Sequence, residues 1–177
     1  KISLNKIPAS IIKKSLIDKG FSSKLSSKAS LKSDGSYNKA LSYVKGTEKD
    51  VIFEKWFQSW VRSAFKVKKK KEAVLELVDW SNTLSKSGRE TQKKFINYSL
   101  EVFRQALLYN YGLNEIAYYK PTTDFNFDNF SDFIVGANIE DISNELEKAY
   151  LHIQANGNPK MIFTDLSLKL TRLIHKS

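Results

Sequence analysis

Apolar residues return every three or four positions through most of the chain, and this spacing predicts helices. Residues 8–19 read as a short helix in which Ile11, Ile12, Leu16 and Ile17 form one stripe. Pro8 suits its first position, where the missing N–H costs nothing, and Gly20 closes it. A second short helix is expected over residues 22–31, with Leu25 and Ala29 inward. A third starts at Ser36, buries Ala40, Leu41 and Val44, and is expected to stop at Gly46. Three such short helices can enclose only a small core.

From Thr47 the pattern grows denser. Thr47 is a candidate N-cap, and Trp56, Phe57, Trp60, Val61, Ala64 and Phe65 follow at helical spacing. A helix near 71–86 places Ala73, Leu77, Trp80 and Leu84 on one face. Ser87 and Glu90 stand three apart, the spacing of a capping box, and are expected to open a helix reaching Asn110 with Phe95, Tyr98, Val102 and Ala106 inward. Gly112 ends it. Residues 113–127, with Tyr118, Tyr119, Pro121 and the run Thr122-Thr123-Asp124, read as a loop. Phe125, Phe127, Phe130 and Phe133 are expected to pin that loop and a short helix near 128–135 to the core. Asn138 is a candidate cap for a helix carrying Ile139, Ile142, Leu146, Ala149, Tyr150 and Ile153. Asn156-Gly157-Asn158-Pro159 is a stop, turn, cap and first residue in sequence. The last helix carries Ile162, Leu166, Leu170, Leu173 and Ile174. No segment alternates as a strand would. The expected fold is all-α: a small N-terminal helical segment, then a helical bundle.

Composition narrows the chemistry. With no Cys, a disulfide scaffold, a thiolate zinc site and a Cys nucleophile are excluded. The same lack fits a reducing, cytoplasmic setting, and no apolar run approaches the roughly 20 residues that span a bilayer. No phosphate-binding glycine loop and no nucleophile elbow is present. His152 and His175 lie far apart on separate predicted helices, so no metal-ligand set forms. Glu140, Asp141, Glu145 and Glu147 suit an early helical turn or an exposed face better than a catalytic pair. Trp56, Trp60 and Trp80 could stack on bases, but their spacing with other apolar residues fits a core.

Charge is uneven. Residues 1–71 hold 18 Lys/Arg and 5 Asp/Glu, a net of +13; the remainder holds 11 and 14, a net of −3. The first part suits DNA phosphates or an acidic partner, or is simply a solvated face. The run Lys68, Lys69, Lys70 and Lys71 is open to the same two readings: a phosphate contact, or a solvated turn between helices.

Several stretches resemble the clamp-loader family of bacterial DNA polymerase III, and within it the C-terminal region of delta-prime subunits. Ser33-Asp34-Gly35-Ser36-Tyr37-Asn38-Lys39-Ala40-Leu41 is similar to the G-S-x-R-x-A-L segment of the AAA+ lid domain. There the Arg senses nucleotide; here Asn38 stands in its place, which implies that sensing is lost. Trp80-Ser81 followed by Gly88-Arg89-Glu90-Thr91-Gln92-Lys93-Lys94-Phe95 resembles the W…G-R-E-x-Q-K-x-F segment of the collar domain. Arg104 matches a recurrent Arg in the same helix, and Asn156-Gly157-Asn158-Pro159-Lys160 resembles the turn before the last collar helix.

The resemblance implies that residues 1–46 are the remnant of a lid domain and 47–177 a collar, with an ATPase-like domain preceding them. It implies a non-catalytic, cofactor-free role in assembly with delta and gamma/tau subunits, DNA contact being indirect. Gly88, Arg89, Glu90, Gln92, Lys93 and Arg104 are then structural or interface positions. The alternative is a free-standing basic helical module that binds DNA or RNA through Lys68–Lys71.

Overall fold

The structure, a computed structural model, describes residues 7–176 other than 34, 114, 118 and 120; the side chains of residues 32, 42, 43 and 45–50 are also outside the description. Asp34 and Tyr118, which the sequence singles out, are among the residues left aside. All the regular structure described is helical: α1 Ala9–Asp18, α2 Ser23–Lys32, α3 Tyr37–Val67, α4 Val74–Ser85, α5 Arg89–Asn110, α6 Phe127–Ser131, α7 Gly136–Gln154 and α8 Pro159–Leu173, with a 3-10 turn at Lys71–Ala73. None of these helices is long and apolar enough to cross a membrane. The chain divides into two compact units, Lys1–Ile52 and Phe53–Ser177.

The first unit packs α1 against α2 and closes over them with the start of α3. Its buried apolar side chains are Ile12, Leu16, Ala29, Ala40 and Val44. Ile11 and Ile17, expected on the same stripe as Ile12 and Leu16, face solvent instead. A 3.6-residue period puts adjacent positions about 100° apart, so a ten-residue helix packed along one side buries only one row. Ser22 caps α2 by accepting the Leu25 amide, and Ser36 caps α3 by accepting that of Lys39. Pro8 stands just before α1 rather than within it.

The break expected at Gly46 and Thr47 does not occur. Both residues are helical, and α3 continues to Val67. One glycine inside a helix costs about 1 kcal/mol. The apolar rows on either side offset that cost by packing.

In the second unit α4 lies on α8, α5 on α7, α7 on α8 and α6 on α5, with the later part of α3 supplying much of the shared core. Its centre is aromatic. The indoles of Trp60 and Trp80 stack at 5.0 Å and 9°. Phe57 meets Phe103, Phe125 and Phe130 edge-on at 5.2, 5.9 and 5.5 Å. Such edge contacts are favoured by the ring quadrupole and add to plain burial. The tryptophans therefore belong to the core, and only Trp56 among them is partly exposed.

Asn158 accepts the Met161 amide and caps α8, with Pro159 in its first turn, as the sequence implies. The turn before it runs through Asn156 at φ 64 and sends the Gly157 N–H to the His152 carbonyl at 2.8 Å. Glycine is needed at 157 for space: a Cβ there would sit 2.9 Å from both the His152 carbonyl oxygen and Ile162 Cδ1. Asn138, by contrast, is not the cap of α7. That helix begins at Gly136, and Asn138 Oδ1 reaches back to the Val135 amide at 3.1 Å. Its Nδ2 donates to the carbonyls of Phe133 and Lys176, so this fully buried amide ties the α6–α7 connection to the chain end. The short helix α6 is Phe127–Ser131 rather than 128–135, and Phe133 lies half exposed against Phe65.

Candidate functional site

Three places in the second unit gather polar side chains. The first lies at the start of α5. No capping box forms there. Gly88 occupies the cap position at φ 82, a left-handed value that suits glycine, and Ser87 Oγ donates instead to the Leu84 carbonyl. Glu90 turns to Lys93 at 2.6 Å, and that contact lowers the pKa of Glu90 and raises that of Lys93. Gln92 is buried and donates to the carbonyls of Leu84 and Ser85, satisfying the end of α4.

Arg89 reaches across the unit. Its guanidinium donates to the carbonyls of Ile153, Gly157 and Asn156 at 3.2, 3.1 and 3.3 Å. The last turn of α7 is the negative end of its dipole, so a cation there is favoured twice over. Arg89→Ala is expected to lower stability by about 1–3 kcal/mol, since three bonds to a charged donor are lost. Arg89→Lys is expected to recover little, because an ammonium lacks the fork that spans three carbonyls. Urea unfolding followed by circular dichroism reads both changes. Full rescue by lysine would mean that charge alone acts. Of the remaining positions, Arg104 lies exposed on α5, 3.5 Å from Glu101.

The second place escaped the sequence reading. Glu54, Gln58 and Arg62 stand four residues apart on one face of α3 and together hold the loop 122–124. Both oxygens of the Glu54 carboxylate accept the Thr122 amide at 3.0 and 2.9 Å, the Thr123 amide at 2.7 Å and the hydroxyls of both threonines. Asp124 accepts from Gln58 Nε2 at 3.0 Å and pairs with Arg62 at 3.5 Å. Burial pushes the Glu54 pKa up, but these donors outweigh it and hold it below the ordinary glutamate value. The available signal was a helical i, i+4, i+8 row of polar groups inside an otherwise apolar stretch.

The third place is the turn after α3. Lys68, Lys69, Lys70 and Lys71 are all exposed there, while Lys66 is paired with Glu76 at 3.0 Å. His175 packs its ring on Phe65 at 5.4 Å, and its Nε2 is buried without a hydrogen-bond partner among the described residues. Burial first, and then the charge of Lys68, lower its pKa. His152 is exposed at the far end of α7.

Among the described residues no three His, Cys, Asp or Glu side chains cluster as a metal site would require. Asp141 pairs with Lys176 at 2.7 Å, and Glu145 pairs with Lys148 and Lys169 at 2.7 and 2.8 Å, so these carboxylates tie α7 to α8 and to the chain end. Glu140 and Glu147 face solvent, and Asn38 is exposed near the start of α3. No protein-family model, curated protein or solved structure matches the chain.

Proposed function

We propose that the chain is a non-catalytic assembly module of the clamp-loader kind, joining delta and gamma/tau subunits through the helical unit Phe53–Ser177. The observation that supports this reading is where the stretches of the resemblance lie. Trp80, Gly88–Lys93 and Asn156–Pro159 are distant in sequence, yet they meet around one joint. Arg89 holds the 153–157 turn, Gln92 holds the end of α4, and Trp80 meets Phe163 of α8 edge-on at 5.9 Å. Residues that recur together because they brace one bundle would be spaced in this way. Asn38 at the sensing position fits a subunit that assembles without responding to ATP.

A second reading has one observation in its favour, the exposed Lys68–Lys71 turn, which would suit phosphates. One experiment separates the two. The purified chain is tested for capture of purified delta and gamma/tau subunits from the same cell, at low and at high salt, with a labelled DNA duplex in parallel. Capture of a subunit that survives high salt is the expected result. DNA binding with a steep salt slope and no subunit captured would replace the assembly reading with the basic module. Nucleotide hydrolysis by the chain would sink both.

A further inference from the structure

The turn that closes α7 carries a chemistry that the assembly reading does not use. Asn156 and Gly157 form the one Asn-Gly step in the chain. Conformation calls for both residues. Asn156 lies at φ 64, a left-handed value that asparagine tolerates better than most side chains. At 157 only glycine leaves room for the His152 carbonyl and Ile162. The Asn156 N–H donates to the Ile153 carbonyl at 3.2 Å and the Gly157 N–H to the His152 carbonyl at 2.8 Å, the paired bonds that close a helix end. Arg89 then grips the Ile153, Asn156 and Gly157 carbonyls from α5.

An asparagine followed by glycine is open to attack on its own side chain, because glycine has no Cβ to shield its nitrogen or stiffen the chain. The Gly157 nitrogen, once deprotonated, adds to Cγ of Asn156. The new N–Cγ bond closes a five-membered imide as the Cγ–Nδ2 bond breaks and ammonia leaves. Water opens the ring at either carbonyl, giving aspartate or isoaspartate with no change of oxidation state. Asn156 is exposed, so water has access. The turn itself opposes the reaction. His152 holds the Gly157 N–H, and the Arg89 fork holds the carbonyls on either side of that nitrogen.

We infer that Asn156 is a site of spontaneous deamidation gated by Arg89, the imide forming when the joint between α5 and the α7–α8 turn opens. Isoaspartate adds one atom to the main chain of the turn. The carbonyls then no longer all meet one guanidinium, and a reacted joint stays looser than an unreacted one. The inference rests on this joint's geometry and holds whether or not the chain joins a clamp loader.

The test incubates the whole chain at mildly alkaline pH and follows residue 156 by peptide mapping and by labelling with isoaspartyl methyltransferase. The folded chain is expected to react at least about tenfold more slowly than the same chain unfolded in urea, because reaction tracks the population of the open turn. Arg89→Ala is expected to speed the folded reaction about tenfold. Glu54→Ala weakens the same unit at the 122–124 loop and is expected to leave the rate within about twofold of wild type, since the turn opens locally. Asn156→Gln is expected to remove the signal. Folded and unfolded chains reacting alike, no acceleration by Arg89→Ala, equal acceleration by Glu54→Ala, or a signal that survives Asn156→Gln would overturn the inference.

Discussion

Trp60→Ala is expected to lower the stability of the second unit by about 3–5 kcal/mol, the range for removing a large aromatic from a packed core. That is a large share of the roughly 5–15 kcal/mol by which a domain is folded. Trp60 is fully buried, stacked on Trp80 and in edge contact with Phe57 and Phe103 at 6.2 and 6.3 Å. Few neighbours can move in to fill the space, because α3, α4 and α5 all meet there. The indole also contains a polar group that gains nothing. Trp60 Nε1 is buried without a hydrogen-bond partner among the described residues, whereas Trp80 Nε1 donates to the Trp56 carbonyl at 2.9 Å. Trp60→Phe therefore removes ring volume and an unsatisfied donor together, while Trp80→Phe removes ring volume and a made bond. Trp80→Phe is expected to cost about 1 kcal/mol more, although Trp80 is the less buried of the two. Urea unfolding followed by far-ultraviolet circular dichroism ranks the variants. The reverse order would mean that the space left by the deeper ring outweighs the indole N–H.

Glu54→Ala is expected to cost about 2–4 kcal/mol, because charge-assisted bonds vanish and two backbone amides are stranded. Glu54 is only 2% exposed and sits under the loop it holds. Glu54→Gln preserves shape but turns an NH₂ toward donors, so it is expected to recover little. The effect depends on pH with a definite sign. The folded carboxyl titrates below its ordinary value, so the folded state binds its proton less readily than the unfolded one. The stabilisation is therefore complete above the unfolded-state pKa and is lost as pH falls through the lower folded-state one. Asp124, lowered by Gln58 first and then by Arg62, acts in the same direction at the same loop. Melting temperatures of the wild-type chain and Glu54→Gln should differ at neutral pH and converge in acid. A constant difference across that window would show that the lost contacts are of shape rather than charge.

The helices and most of the core were legible in the sequence. Leu77, Leu84, Phe95, Val102, Ile142, Leu146, Leu166 and Leu170 stand at helical spacing and are all buried. The period needs no knowledge of the neighbour, only that one face must leave water. The Asn158-Pro159 start of α8 was legible for a related reason, since a cap is satisfied within its own turn. The expected stop at Gly46 and cap at Thr47 failed because local preference there is worth about 1 kcal/mol, less than a row of buried contacts. The box at Ser87 and Glu90 failed because both side chains had better partners nearby, Leu84 and Lys93.

Sequence alone thus determined an all-helical chain, a small basic first part, the apolar faces and the absence of cysteine chemistry. Tertiary structure alone decided where the polar groups spend their hydrogen bonds. Arg89 meets a carbonyl 64 residues away, and Glu54 meets amides 68 and 69 residues away. The reason is range. Periodicity and capping act between residues about four apart, whereas a buried carboxylate or guanidinium is satisfied by whichever distant donors or acceptors the packing of apolar faces brings to it.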